Sequence, residues 1–478
     1  MIGRKCELLG TASALLLAGC AIGPNYHRPA VAVPAQWPAD PGTQAVAGPT
    51  MEEWWKSFHD AELNSLVTRA VASNLDLQVA AGRVEEARAN RGTARSAAMP
   101  QITGSAVATR ERQIAEGCIP GAPGGGGSLQ TFSYTTNLFS ALADMSWEID
   151  LFGGIRRQAQ AASGDLAAQE EDRRNVLISL LGDVAANYAQ LRGYQLRLEI
   201  ARRNIAVQEE TVKLTQDLVN AGQSTERDVA QSEALLDSTR ATLPALESGR
   251  EAAVHRLSVL LGREPGALAD ELASSAPLPP VPPGVPVGLP SELLERRPDI
   301  RRSEAQLMAA TARVGQAKAD YFPKLSLTGS AGRESTQLHD LTLGLANVFS
   351  IGPSISLPIF TGGKIRSNVA VQEARLKQAQ ATYQSTVLEA LEETDNALAN
   401  LGSERQREER LQAVVRESQT ALDLAKIQYQ AGLADFLTVL DSERSLAGNQ
   451  DQLAQSQVSL VVNLISLYKA LGGGWEVI

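Results

Sequence analysis

Residues 220–233 read NAGQSTERDVAQSE, and residues 430–443 read QAGLADFLTVLDSE. Ala221-Gly222 returns as Ala431-Gly432, Val229 as Val439, Ser232-Glu233 as Ser442-Glu443 and Leu261-Gly262 as Leu471-Gly472, always 210 residues later. Each Ala-Gly pair closes a run without proline, Arg156 to Asn220 and Lys364 to Gln430, of 65 and 67 residues. As helices these runs reach about 100 Å, too long for a compact globule unless other helices lie alongside. The returning segments, 226–262 and 436–472, supply only about 55 Å each. Helices at 76–98 and 298–320 are expected to make up the length. The second opens on Pro298, a residue suited to a first helical turn.

The duplication extends upstream. RANRGTARSAAMPQITGSA (88–106) corresponds to TARVGQAKADYFPKLSLTGSA (311–331), and DLFGGIRR (150–157) to PIFTGGKIR (358–366). The chain is an internal repeat, each copy reading helix, strand pair, long helix, turn, helix. Apolar positions in the first long helix (Val176, Leu180, Val184, Tyr188, Leu191) form a narrow stripe opposite Gln, Ser, Arg and Glu. That pattern fits a hollow wall wetted on one side better than a solid core. Aromatic residues are 4% of the chain, thin for globular domains and ordinary for long helices.

The strand regions alternate with period two. From Phe139 to Leu151 the odd positions are apolar, while Ser140, Asp144, Ser146, Glu148 and Asp150 take the other face. Leu341 to Ile359 alternates likewise, and the weaker partners are Gln101–Gln113 and Lys324–Ser335. This predicts four strands as two hairpins. Four strands cannot close a barrel, and strands facing lipid must close completely. The pattern therefore asks for several chains sharing one barrel; the alternative is a soluble four-stranded sheet packed on helices.

Arg4 and Lys5 precede an apolar stretch, Leu8 to Ala18, too short to span a bilayer and suited to a secretory signal over 1–19. It ends in Leu17-Ala18-Gly19-Cys20, which resembles a bacterial lipobox, with a covalent lipid expected on Cys20. Ala21 follows rather than Asp, which in such lipoproteins implies the outer membrane. One acylated residue anchors a chain without spanning the membrane. Of three Cys, only Cys118 then remains, so no intramolecular disulfide is expected; Cys118 sits in the loop GCIPGAPGGGGS as a passive thiol. The formal charge of −10 argues against nucleic acid. The four His are scattered, and there is no Cys-x-x-Cys, P-loop or GxSxG. No metal site, cofactor or catalytic cluster is expected, and the chain does not read as an enzyme. The domains expected are the signal at 1–19, a lipid anchor and extended segment at 20–60, a first repeat at 61–272 (strands about 101–152), a Pro-rich link at 273–290 and a second repeat at 291–478 (strands about 324–360).

The turns have a local explanation. Gly222 and Gly432 stop helices where positive φ is needed. Thr225, with Asp228 three residues on, caps the next helix, and Asp435 with Thr438 is expected to do the same. Paired acids such as Glu209-Glu210 and Glu392-Glu393 read as solvated helix surface.

Several stretches together resemble the outer membrane factor family, the TolC-like exit ducts, and within it the NodT-type lipoprotein branch serving resistance-nodulation-division pumps. They are CAIGPNY (20–26), EEWWKSFHDAEL (52–63), SWEIDLFGG (146–154), RRPDIRRSEAQLMAA (296–310), YFPKLSL (321–327), PIFTGG (358–363) and VLDSE (439–443). Ala61 departs from the family's frequent Pro there. The resemblance implies a homotrimer with a twelve-stranded barrel in the outer membrane of a Gram-negative bacterium. Twelve helical strands would form a tunnel in the periplasm, girdled near the Pro-rich link. It implies a periplasmic adaptor and an inner-membrane transporter as partners, contact with outer-membrane lipid, and passive conduction of drugs or other small molecules. Loops 114–128 and 336–341 would face outside. The turns would form the closed periplasmic aperture, with Gly222, Thr225, Gly432 and Asp435 docking the adaptor. An Asp228–Tyr429 hydrogen bond would act as latch, and Asp441 would line the constriction. Ala434 and Thr438 depart from residues some relatives carry there, so the latch and acidic ring would differ. Two other readings stay open: a type I protein-secretion conduit, and a non-channel coiled-coil lipoprotein scaffold.

Overall fold

The computed structural model describes residues 21–35, 37, 51–119, 128–282, 290–343 and 347–477. The signal segment, Cys20 and residues 283–289 of the Pro-rich link lie outside the described residues. A 3-10 segment, Met51–Phe58, leads into α1 (Ala61–Ser73) and α2 (Leu75–Ser96). Strands β1 (Gln101–Ile119) and β2 (Ser128–Ile149) follow, then α3 (Gly154–Asn220), α4 (Glu226–Arg240) and α5 (Leu243–Leu260). The second copy supplies α6 (Pro298–Ala319), β3 (Lys324–Ser335), β4 (Asn347–Ser356), α7 (Lys364–Gln430) and α8 (Phe436–Ala470). The long helices α3 and α7 hold 67 residues each and begin and end 210 apart. Among the described residues no helix is long and apolar enough to cross a membrane.

Four expectations need correction. The first returning helix, expected as one piece over 226–262, breaks at Ala241–Thr242, because Pro244 fits only the first turn of a new helix. Its copy α8 has no internal proline and runs unbroken. The strand expected from Leu341 begins at Asn347 instead, after a single helical turn at Asp340–Leu343. It stops at Ser356, before Pro358, which has no N–H for a ladder. Strand β1 runs on to Ile119, so Cys118 belongs to its ladder opposite Leu129. Residues 51–58 of the expected extended segment are helical.

By internal contacts the chain divides into two units, and each repeat contributes to both. The first comprises Met1–Arg28, Glu86–Leu166 and Ala305–Gln380. Its two hairpins merge, because β2 also pairs with β3, into one antiparallel sheet ordered β1-β2-β3-β4. The register sorts the side chains by face, since paired residues point the same way. Gln101, Thr103, Ser105, Ser140, Asp144, Ser146, Glu148, Ser326, Thr328, Ser330, Ser350 and Ser354 share one face. Ile102, Phe139, Ala141, Ala143, Met145, Trp147, Leu325, Leu327, Phe349, Ile351 and Ile355 share the other. The apolar face is not packed away: Ile102, Phe349, Ile351 and Ile355 are all exposed.

Below the sheet, α3 and α6 approach closely at Gly164, where a Cβ would come 3.0 Å from the Ala305 carbonyl and the Ala309 amide. The start of the chain is seated here too. Arg157 donates to the Ile22 and Gly23 carbonyls and to Asn25 Oδ1 at 2.9–3.3 Å, and Ile22 N–H donates to the Phe152 carbonyl at 3.2 Å. Gly23 and Gly315 touch backbone to backbone, with no room for a side chain on either.

The second unit comprises Pro29–Glu85, Ala167–Glu304 and Ala381–Ile478. Its largest buried side chains include Phe58, Leu63, Leu66, Leu177, Leu181, Tyr188 and Leu191. Leu180, Val184, Tyr188 and Leu191 of the expected stripe are buried, and Val176 half-buried. Trp54 stacks on Tyr468 at 5.1 Å, fastening residues 51–58 to the end of α8. Asp60 caps α1 through Oδ1 and accepts the Tyr188 hydroxyl on Oδ2 at 2.8 Å. Burial pushes the Tyr188 phenol well above its ordinary value. Buried Arg192 and Gln195 of α3 donate to the Leu272 and Ser274 carbonyls, which fixes where the Pro-rich link leaves the helices.

Candidate functional site

The candidate site is the pair of turns where the long helices reverse, all within the second unit. Both stop by one device. Gly222 has φ +71°, its N–H donates to the Val219 carbonyl at 2.9 Å, and Gln223 N–H reaches the Leu218 carbonyl at 2.8 Å. Gly432 repeats this with φ +71°, Tyr429 at 2.9 Å and a Leu433-to-Gln428 bond at 2.8 Å. This is the glycine-dependent Schellman stop. It satisfies carbonyls the helix end would otherwise leave bare.

Beyond the stops the turns differ. In the first, Asp228 Oδ2 accepts from Thr225 Oγ1 at 2.7 Å, Thr225 N–H at 3.1 Å and Ser224 Oγ at 3.0 Å. The Thr225 hydroxyl, foremost among these donors, holds the carboxyl below its ordinary value. In the second, Asp435 sits at the cap position with extended backbone but makes no side-chain cap bond, which corrects the expectation of a matched pair. Its carboxylate is exposed, so water competes for it, and Thr438 has no carboxylate with which to reach back.

Tyr429 is half-buried. Its ring packs on Phe436 at 5.4 Å and lies against Leu235 and Leu440, and also against the cluster of Leu422, Ala425 and Val439. It thus wedges the second turn onto α4 of the first copy. No hydrogen bond joins Tyr429 to Asp228 among the described residues; the carboxylate is occupied by its own cap. Asp441 is exposed and pairs with Arg444 at 3.5 Å. Leu433, at the tip of the second turn, is 80% exposed where the first turn carries Gln223.

Sequence reasoning missed Glu443, the most buried carboxylate near the turns. Its Oε1 pairs with Lys426 Nζ at 3.1 Å and accepts from Thr211 Oγ1 at 3.1 Å, while Oε2 has no partner among the described residues. The pair faces a cleft of about 360 Å³ whose walls include Gln208, Leu422 and Leu446. A signal was present in the duplication: Gln216 and Glu233, each 210 residues earlier, are also bonded, at 3.3 Å, but Glu233 is exposed. Arg197 adds a bidentate tie to Asp451 at 2.6 and 3.1 Å, so α3 is bonded to α8 at two levels.

These features define a class. It is a duplicated, mostly helical chain whose copies each end in a glycine-stopped turn and whose four strands form an open sheet with one polar and one apolar face. The chain belongs to the outer membrane efflux protein family, whose sequence model matches residues 66–263 and 289–473. It is 35% identical to the solvent efflux pump outer membrane protein SrpC of Pseudomonas putida, over 99% of both chains. It is 31% identical to nodulation protein T of Rhizobium leguminosarum bv. trifolii, over 97% of this chain and 96% of that one. Among solved structures it is similar to the outer-membrane channel OprN, with TM-score 0.86 and 36% identity over 96% of this chain and 100% of that chain.

Proposed function

We propose that the chain is the lipid-anchored exit duct of a tripartite efflux pump, passively conducting drugs or other small molecules through the outer membrane. One observation carries this reading: the sheet is open at β1 and β4, and its apolar face is exposed. Such a sheet is stable in a membrane only when closed. Three copies contribute 3 × 4 = 12 strands, more than the eight whose interior side chains fill. The polar face would line the water-filled lumen. Small-molecule cargo is supported by relatives named for efflux of solvents, toluene and cations and for pyoverdine export. The energy would come from an inner-membrane transporter reached through a periplasmic adaptor.

The aperture is assigned to the turns, with the adaptor meeting Gly222, Thr225, Gly432 and Asp435. The cap on Asp228 and the wedge at Tyr429 would each stiffen one turn, and Asp441 of three copies would ring the axis. A direct Asp228–Tyr429 latch requires Asp228 to share its cap oxygens or use Oδ1.

Single-channel recording of the purified protein in planar bilayers tests this. Discrete conductance steps are expected, with closed-state conductance rising in Asp228→Ala and Tyr429→Ala. A protein that never conducts sinks the duct; unchanged closed-state conductance sinks only the aperture assignment.

A further inference from the structure

Among the described side chains the strands segregate charge as well as hydrophobicity. Every acidic residue of the sheet among them (Glu111, Asp144, Glu148, Glu334) lies on the polar face. Three arginines lie on the apolar face. Arg110 pairs with Asn137, Arg112 with Thr135, and Arg333 with Ala141. All three sit toward the end of the sheet away from Trp147, Leu325 and Ile355, where the apolar face carries no charge. A cation on a lipid-facing surface is unfavourable near the bilayer centre and tolerated only near its edges.

The spacing places Arg110 and Arg112 at an edge. Trp147 suits the inner interface, where aromatic residues form a girdle. Arg110 lies level with Asn137, ten positions further along β2. At 3.4 Å per residue and a tilt of about 40°, that is about 26 Å across the membrane, against an apolar band of about 25 Å. Arg112 lies one step beyond. Arg333 lies lower, and its guanidinium reaches away to the Leu341 carbonyl at 2.6 Å, keeping its charge out of the band as long cations do. Arg112 keeps one bond, to Ser133 Oγ at 2.9 Å. Arg110 is exposed and has no partner among the described residues.

We propose that Arg110 and Arg112 bind the phosphate of a phosphorylated lipid in the outer leaflet. The occupant must satisfy guanidinium forks with an anion, and a phosphate presents oxygens spaced for that fork. It must also cover the apolar face on the inner side of the arginines, where Ala108 and Ala141 are exposed. A free phosphate does the first and not the second; a neutral lipid does the second and not the first. The inference rests on closure of the sheet in a membrane.

The test is native mass spectrometry of the full-length protein released from detergent, titrated with bis-phosphorylated lipid A, its dephosphorylated form or phosphatidylethanolamine. Phosphorylated lipid adducts are expected on the assembled protein, surviving millimolar inorganic phosphate. Arg110→Gln with Arg112→Gln should weaken them about tenfold or more, the equivalent of one charge-assisted hydrogen bond lost. Glu111→Gln, on the opposite face of the same strand, should leave them unchanged, and the oligomer mass in the same spectrum reports intact folding. Equal binding of the dephosphorylated lipid, adducts removed by inorganic phosphate, or undiminished binding by the double variant would each overturn the proposal. Conductance in planar bilayers separates the cases. A protein that conducts but shows no lipid preference loses only this site, and one that does neither loses the duct as well.

Discussion

Replacing Lys426 by Met should destabilise the protein more than replacing Lys426 and Glu443 together. The Glu443 side chain is 3% exposed and its oxygen stands 3.1 Å from Lys426 Nζ. At an effective dielectric of 20 their attraction is about 5 kcal/mol before desolvation is subtracted. Removing the lysine alone leaves a carboxylate in a site water barely reaches, a change that costs about 3–5 kcal/mol when both partners are buried. Lys426 is 38% exposed, so solvent already screens its side of the pair. A loss of about 2–3 kcal/mol follows for Lys426→Met. Lys426→Met with Glu443→Leu removes the stranded charge and should fall within about 1 kcal/mol of the parent. Thr211 is not orphaned, because its hydroxyl also reaches the Val207 carbonyl at 3.1 Å. The measurement is thermal and denaturant unfolding of the purified protein at one fixed concentration, since assembly contributes to stability. If the two single substitutions add to within about 0.5 kcal/mol in the double, the residues are uncoupled and the reasoning fails.

Two further outcomes follow from the turns and the chain start. Asp228→Ala should cost about 1 kcal/mol locally and speed amide exchange in the first turn of α4, whereas Asp435→Ala should do little, having no side-chain cap bond to lose. Because the folded Asp228 carboxyl is depressed, the cap's contribution is complete above the ordinary aspartate value near 3.9 and fades as pH falls below it; protection factors, corrected for the intrinsic pH dependence of exchange, that stay flat from pH 5 down to 3 would contradict this. Gly315→Ala should loosen residues 21–28, read as faster protease cleavage there, because the new methyl would meet the Ile22 carbonyl and Arg157 Nε at 2.9 Å. Gly92→Ala, the equivalent change in the first copy, meets nothing within 4 Å, and equal cleavage in both variants would dismiss the seat.

Much of the protein was legible because its determinants are local. A Schellman stop depends on a glycine and the turn before it, so both copies form at the positions the 210-residue echo marks. Helix length was readable from the absence of proline, and strand faces from period two. The break before α5 was equally local, yet was missed by reading the copies as equivalent when only the first carries Pro244.

What the sequence could not supply was environment. Gln216–Glu233 and Lys426–Glu443 occupy matching positions and both pairs are bonded, yet only Glu443 is buried. The difference comes from α3, whose Thr211 lies 232 residues away in the chain. The same holds for Tyr429, which reads as a hydrogen-bonding residue and packs instead as a wedge on α4. The merging of two hairpins through β2 and β3 likewise joins segments far apart in the chain. The sequence by itself determined the elements, their duplication and their two-faced character, because these follow from backbone preference and side-chain alternation within a few residues. Only the tertiary structure decided which member of each duplicated pair is buried, capped or exposed, because burial depends on what distant parts of the chain bring alongside.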